Sequence, residues 1–115
     1  IMAEDAKAFY KEFPKNVGRM QKETPKIIGP FMELFEAVAA DGALSRAEKE
    51  AVALGIAVAV KCKECIRLHV QKGLAAGLSR EQLLEAAAVA VMMGGGPAFV
   101  QVPEVMDALD ACGAE

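Results

Sequence analysis

The chain has 115 residues, 54% of them hydrophobic but only 5% aromatic; this length suits one domain around one core and is too short for two lobes flanking a cleft. Thirteen Lys and Arg against sixteen Asp and Glu leave a net charge of −3 and a pI near 5.2, which offers no basic face to phosphate and argues against a nucleic-acid partner. No stretch reaches the roughly 18 consecutive apolar residues of a membrane helix, because residues 51–60 are too few and residues 86–100 are interrupted by Gly94-Gly95-Gly96-Pro97.

No run of β-branched residues with period two competes with the helical pattern, so an all-α bundle of about six helices is expected, as one domain over residues 1–115. The first amphipathic helix is predicted over residues 4–12, stopped near Pro14. A second runs from Pro25 to Ala39 with Ile28, Phe31, Leu34, Phe35 and Val38 as one apolar stripe, and Gly29-Pro30 is where it can kink. Asp41-Gly42 marks a turn. Ser45 and Glu48 have the spacing of a capping box and start a third helix, whose residues 51–60 are apolar nearly all round and predict the buried centre of the bundle. A fourth helix carries Cys62, Cys65 and His69 and ends near Gly77. Ser79 and Gln82 repeat the capping box, with Leu78 and Leu83 placed as a hydrophobic staple, and open a fifth helix that reaches about Met93. Pro97 is expected to open a sixth that reaches about Ala111. So much apolar surface on so short a chain predicts a homo-oligomer. The acidic and basic start lacks the apolar centre of a secretory signal, and three cysteines do not suit a disulfide framework; a cytoplasmic location is expected.

In a reducing compartment, paired cysteines point to catalysis or metal. Residues three and four apart share a helix face, so Cys62, Cys65 and His69 form one line of thiol, thiol and imidazole. A Cys-x-x-Cys pair closes a small ring that opens and forms readily. An imidazole one turn beyond Cys65 can take its proton or stabilise its thiolate, the species that attacks a disulfide or peroxide. Lys61, Lys63 and Arg67 add positive charge, and a helix starting at Cys62 would favour a thiolate there. Glu50 stands twelve residues before Cys62. On one continuous helix it would lie about 18 Å away. If the chain reverses near Val60, Glu50 and His69, the sole histidine, come to similar depths, and a carboxylate among apolar neighbours needs such a partner.

Glu50, eleven intervening residues, Cys62-Lys63-Glu64-Cys65, three intervening residues and His69 resemble the signature of AhpD-like proteins, within the carboxymuconolactone decarboxylase superfamily. The Asp41-Gly42-Ala43-Leu44 turn and Met93-Gly94-Gly95-Gly96-Pro97-Ala98 extend the resemblance over residues 31–100. It implies an oligomeric AhpD-like helical bundle, a dimer, trimer or hexamer. It also implies disulfide reductase or alkylhydroperoxidase activity in antioxidant defence, coupled to a peroxiredoxin or a dihydrolipoyl carrier. Glu50, Cys62, Cys65 and His69 would be the catalytic set, the glutamate and histidine acting as a proton relay, with no cofactor. One departure is Glu64, which stands where the best-studied branch has a second histidine; a carboxylate beside Cys65 opposes thiolate formation and weighs on peroxidase activity more than on dithiol exchange.

Other readings are set beside this one. Cys62, Cys65 and His69 could give a zinc ion three ligands, with Glu50 or Cys112 as a fourth, but no second ligand pair follows and no metal is expected. A decarboxylase of a small cyclic acid is the enzymatic alternative; relatives of that kind generally lack the cysteine pair. A non-catalytic helical assembly module is the other. Cys112 alone reads as a small buried hydrophobe, and Met92 and Met93 as core or interface filler.

Overall fold

The computed structural model describes residues 2–115. Among them there is no strand, and the helices run α1 (Met2–Glu23), α2 (Pro25–Ala39), α3 (Arg46–Ala59), α4 (Lys63–Ala75), α5 (Arg80–Gly94), the single turn α6 (Gly96–Phe99) and α7 (Val102–Ala111). None of these helices is long and apolar enough to cross a membrane. The fold is therefore all-α, as expected, with three differences in detail.

The first helix does not stop at Pro14 but continues to Glu23. A proline inside a helix forfeits one hydrogen bond, here to the Tyr10 carbonyl, yet its φ is already helical, and the flanking Lys, Glu, Gln and Met residues are good helix formers. The sixth predicted helix is instead split in two at Val100 and Gln101. Pro103 has no N–H to offer the Phe99 carbonyl, and it sits comfortably in the first turn of a restarted helix. Finally, α3 is not buried all round: Leu54, Ala57 and Val58 are in the core, but Val52 and Ile56 face outward.

Both predicted capping boxes form. The Ser45 hydroxyl accepts from the Glu48 amide while the Glu48 carboxylate accepts from the Ser45 amide, and Ser79 and Gln82 do the same at the start of α5. At the end of α4, Gly77 takes a left-handed φ of 99° while Leu78 donates to the Gly73 carbonyl and Gly77 to that of Leu74. This is a Schellman cap. A Cβ on Gly73 would come within 2.8 Å of Leu83, so the glycine lets α4 turn closely against α5.

The core is built from Leu54 and Val58 of α3, Ile66 and Val70 of α4, Leu83 and Ala87 of α5, and Val105 and Leu109 of α7, all fully buried. Helix α3 lies between α4 and α5, and α4 also packs on α7. Helix α1 lies along α7 and reaches α4, where the Tyr10 hydroxyl donates to the Arg67 carbonyl. Arg67 is buried, its guanidinium 3.9 Å from Glu104 and over the Phe9 ring. In contrast, α2 contributes no buried residue, although its apolar stripe had the pattern of a core-facing helix.

Candidate active site

Helix α3 delivers the chain to the cysteines through a tight reversal. Lys61 donates to the Val58 carbonyl and Cys62 to that of Ala57, at 3.2 and 3.1 Å. This is again a Schellman cap, but its left-handed position is held by Lys61, at φ 59°, the one non-glycine residue of positive φ among the described residues. The reversal makes α3 and α4 antiparallel neighbours. Cys62, the last residue of that cap, is also the N-cap of α4, and its sulfur accepts from the Cys65 amide at 3.2 Å.

Cys62 and Cys65 are disulfide-bonded, with their Cα atoms 5.2 Å apart, and both are half-buried. In the reduced protein the same N-cap geometry aims backbone N–H groups at the Cys62 sulfur and favours its thiolate. Glu64 and Lys63 point into solvent.

Glu50 lies in the second turn of α3 and His69 in the second turn of α4, and the antiparallel packing brings His69 Nδ1 to 2.7 Å from Glu50 Oε1. The carboxylate is only 5% exposed and the imidazole 14%. Against an ionised Glu50, Nδ1 carries the proton and Nε2 is left as the acceptor. All four residues singled out in the sequence therefore fall in one region, with His69 one helical turn beyond Cys65 on the same face of α4.

A cavity of about 350 Å³ opens beside the pair, walled by Phe31, Leu34, Phe35, Val38 and Ala39 of α2 and by Lys49, Glu50, Ala53 and His69. Lys49 does not offer its charge to this space, since its ammonium donates to the Val38 and Ala40 carbonyls and ties down the end of α2. Glu50 and His69 are thus the polar groups left at an otherwise apolar surface. The wider groove between α3 and α5, about 470 Å³, contains none of the four residues. Among the described residues, no group of three or more His, Cys, Asp or Glu side chains is placed to hold a metal ion.

Two features of this region carry no sequence signal. Phe35 lies nearly parallel to the His69 ring, at 11° and 6.1 Å between centroids, and Lys72 sits 4.5 Å above Phe35. In the sequence Phe35 is one member of an apolar stripe and Lys72 an ordinary charge near a helix end. Cys112 carries a free thiol, half-buried against the core and close enough to the Tyr10 hydroxyl to bear on its proton.

Fold and site together define an all-α protein with a dithiol turn set beside a buried carboxylate–imidazole pair. The chain belongs to the carboxymuconolactone decarboxylase family, whose model matches residues 25–109. It is similar to an uncharacterised protein of Cupriavidus necator, 31% identical over 113 residues that span 98% of this chain and 100% of the relative. It is also similar to uncharacterised protein 4 of the cox locus of Paracoccus denitrificans, 32% identical over 82% of this chain and 85% of that one. Among solved structures, a carboxymuconolactone decarboxylase family protein of Legionella pneumophila superimposes with a TM-score of 0.87 at 34% identity, over 93% of this chain and 96% of its own. A Thermotoga maritima member of the family shares the fold, with a TM-score of 0.80 at 23% identity over 90% of this chain and 88% of its own.

Proposed function

We propose that the protein is an AhpD-like thiol–disulfide oxidoreductase in which Cys62 and Cys65 cycle between dithiol and disulfide, reducing a peroxide or a protein disulfide. The observation that carries this reading is the 2.7 Å bond between Glu50 and His69, in which a buried carboxylate holds an imidazole base one helical turn from a redox-spaced cysteine. A buried carboxylate serves the fold poorly unless paired, and the pairing leaves Nε2 to accept a proton.

Cys65 is the thiol served by the relay. In the peroxide case a thiolate attacks the terminal peroxide oxygen, the O–O bond breaks, and the alcohol leaves with a proton; the resulting sulfenic acid is displaced by the second cysteine, releasing water and forming the Cys62–Cys65 disulfide. In the disulfide case the thiolate forms a mixed disulfide, the second cysteine resolves it, and two substrate thiols depart. Either cycle needs two electrons from an external dithiol, such as a dihydrolipoyl carrier; an oxidised peroxiredoxin would stand on the other side of the cycle, as a protein disulfide to be reduced. A second copy of the chain covers the exposed apolar surface.

The test is to alkylate the reduced protein before and after exposure to a peroxide or a lipoyl disulfide, and to read Cys62 and Cys65 by mass spectrometry. Interconversion of the pair is expected, with turnover lost in Cys62→Ser and Cys65→Ser proteins of unchanged helicity. His69→Gln should slow the reaction at neutral pH by roughly a hundredfold, the ordinary contribution of a positioned acid–base group. Full turnover by Cys62→Ser would overturn the proposal. Activity on a small cyclic acid that survives thiol alkylation would favour the decarboxylase reading instead.

A further inference from the structure

Glu50 fixes one atom of the His69 imidazole, Nδ1. A single hydrogen bond does not set the plane of a ring. It tolerates tens of degrees of rocking about the Cβ–Cγ bond, and whenever it opens the ring is free to flip so that Nδ1 and Cδ2 exchange places; either motion redirects Nε2. A relay of this geometry needs a second contact that defines the plane.

Phe35 is the side chain in that position. Its ring is within 11° of parallel to the imidazole. It is gripped from the other element as well: Lys72, three residues beyond His69 on α4, places its ammonium 4.5 Å from the centroid of the Phe35 ring. The rest of α2 does not explain why an aromatic ring should be held here. The helix has no buried residue. Its other polar ties lie at its C-terminal end and beyond, from Lys49 to the Val38 and Ala40 carbonyls and from Arg46 to Glu36. Phe35 is only half-buried, so it adds less to the core than a buried phenylalanine would.

We infer that Phe35 is a positioning residue of the relay: its ring holds the His69 imidazole in the plane that keeps Nδ1 on Glu50 and Nε2 available to the dithiol, and Lys72 holds Phe35 in place. The inference rests on the relay reading above and adds to it a part played by α2. Phe35 acts through His69, and it couples the apolar wall of the cavity to the proton-transfer group.

His69 is the one histidine in the chain, so two-dimensional 15N–1H spectra of labelled protein read its tautomer directly, whether or not the protein turns over. The wild type should show one tautomer with the proton on Nδ1. Phe35→Ala should show mixed tautomers, and its reduced dithiol should react with iodoacetamide about tenfold more slowly at neutral pH, the scale expected when a catalytic group is misplaced but not lost. Phe35→Tyr restores the flat face and should restore both readouts. If Phe35→Ala does not fold, as judged by circular dichroism, Phe35→Leu replaces it; leucine fills the wall without a plane and should also mix the tautomers. A wild-type spectrum and alkylation rate in the folded alanine or leucine variant would overturn the inference. His69→Gln separates the two levels. If it alkylates like the wild type, the relay itself fails; if it slows while the Phe35 variants do not, only the role of Phe35 fails.

Discussion

Lys61 occupies the left-handed conformation that most chains reserve for glycine, immediately before the first cysteine. A side chain there meets its own backbone, at a cost of roughly 1–2 kcal/mol that glycine does not bear, although glycine loses about 0.5–1 kcal/mol more backbone entropy on folding. Lys61→Gly should therefore stabilise the protein by up to about 1 kcal/mol, read as a higher urea midpoint at unchanged slope. A lower midpoint would mean that the lysine side chain makes a compensating interaction. At this scale the sequence is most legible where chemistry and spacing coincide. Glu50 can be matched to His69 because a buried carboxylate needs a partner and the chain holds a single imidazole. Phe35 cannot be found this way, since its role depends on which surface α2 faces, and an apolar stripe reads the same whether it covers a core or walls a cavity.

Helix boundaries follow from residues that act locally. Ser45, Ser79 and Gly77 mark ends that form where their backbone chemistry requires, because a cap involves only its own turn. Pro14 misleads because its cost is set against the whole of α1, including the anchor that Tyr10 provides on α4. That anchor has a pH signature. Burial, and then the neighbouring Cys112 thiol, push the Tyr10 phenol well above its ordinary value of about 10. The unfolded chain ionises Tyr10 from about pH 10 upward while the folded chain keeps the proton, so the folded state binds more protons there. The stabilisation is complete below about pH 10 and is lost progressively as the pH rises towards the folded value. Tyr10→Phe should cost about 0.5–1.5 kcal/mol at neutral pH through the lost hydrogen bond, and it should lose less stability than the wild type between neutral and strongly alkaline pH. Parallel alkaline curves for the two proteins would show that the phenol is not what ties α1 to the bundle.

At the scale of the molecule, large hydrophobic side chains of α3 and α5, among them Val52, Ile56, Val89, Met92 and Met93, are left exposed. Val52 and Ile56 of α3 and Val89 and Met93 of α5 stand out from a floor of Gly55, Ala59, Ala86 and Ala90, forming a ridged groove with no charged residue in its lining. A surface of ridges and small-residue grooves fits another helical surface of the same kind, and we propose that a second copy of the chain is that partner. Composition predicts the surplus of apolar surface, but not which helix face is left over; that depends on how α4 and α5, with smaller contacts from α2 and α6, share out the sides of α3. The face can be tested without disturbing the core, because Ile56 and Val89 are 58% and 56% exposed within one chain. Sedimentation equilibrium of the wild type should give a multiple of 12.1 kDa, the mass of a single chain. Ile56→Glu combined with Val89→Glu should shift it to a monomer with unchanged helicity, since burying two uncompensated carboxylates at an interface costs several kcal/mol while leaving them in water costs little. A wild type that sediments as a monomer, or a double variant that keeps the wild-type mass, would place the interface elsewhere or remove it. If the monomeric variant also retains the Glu50–His69 tautomer signal and dithiol reactivity, a single chain carries the complete active site and assembly serves to cover the apolar face.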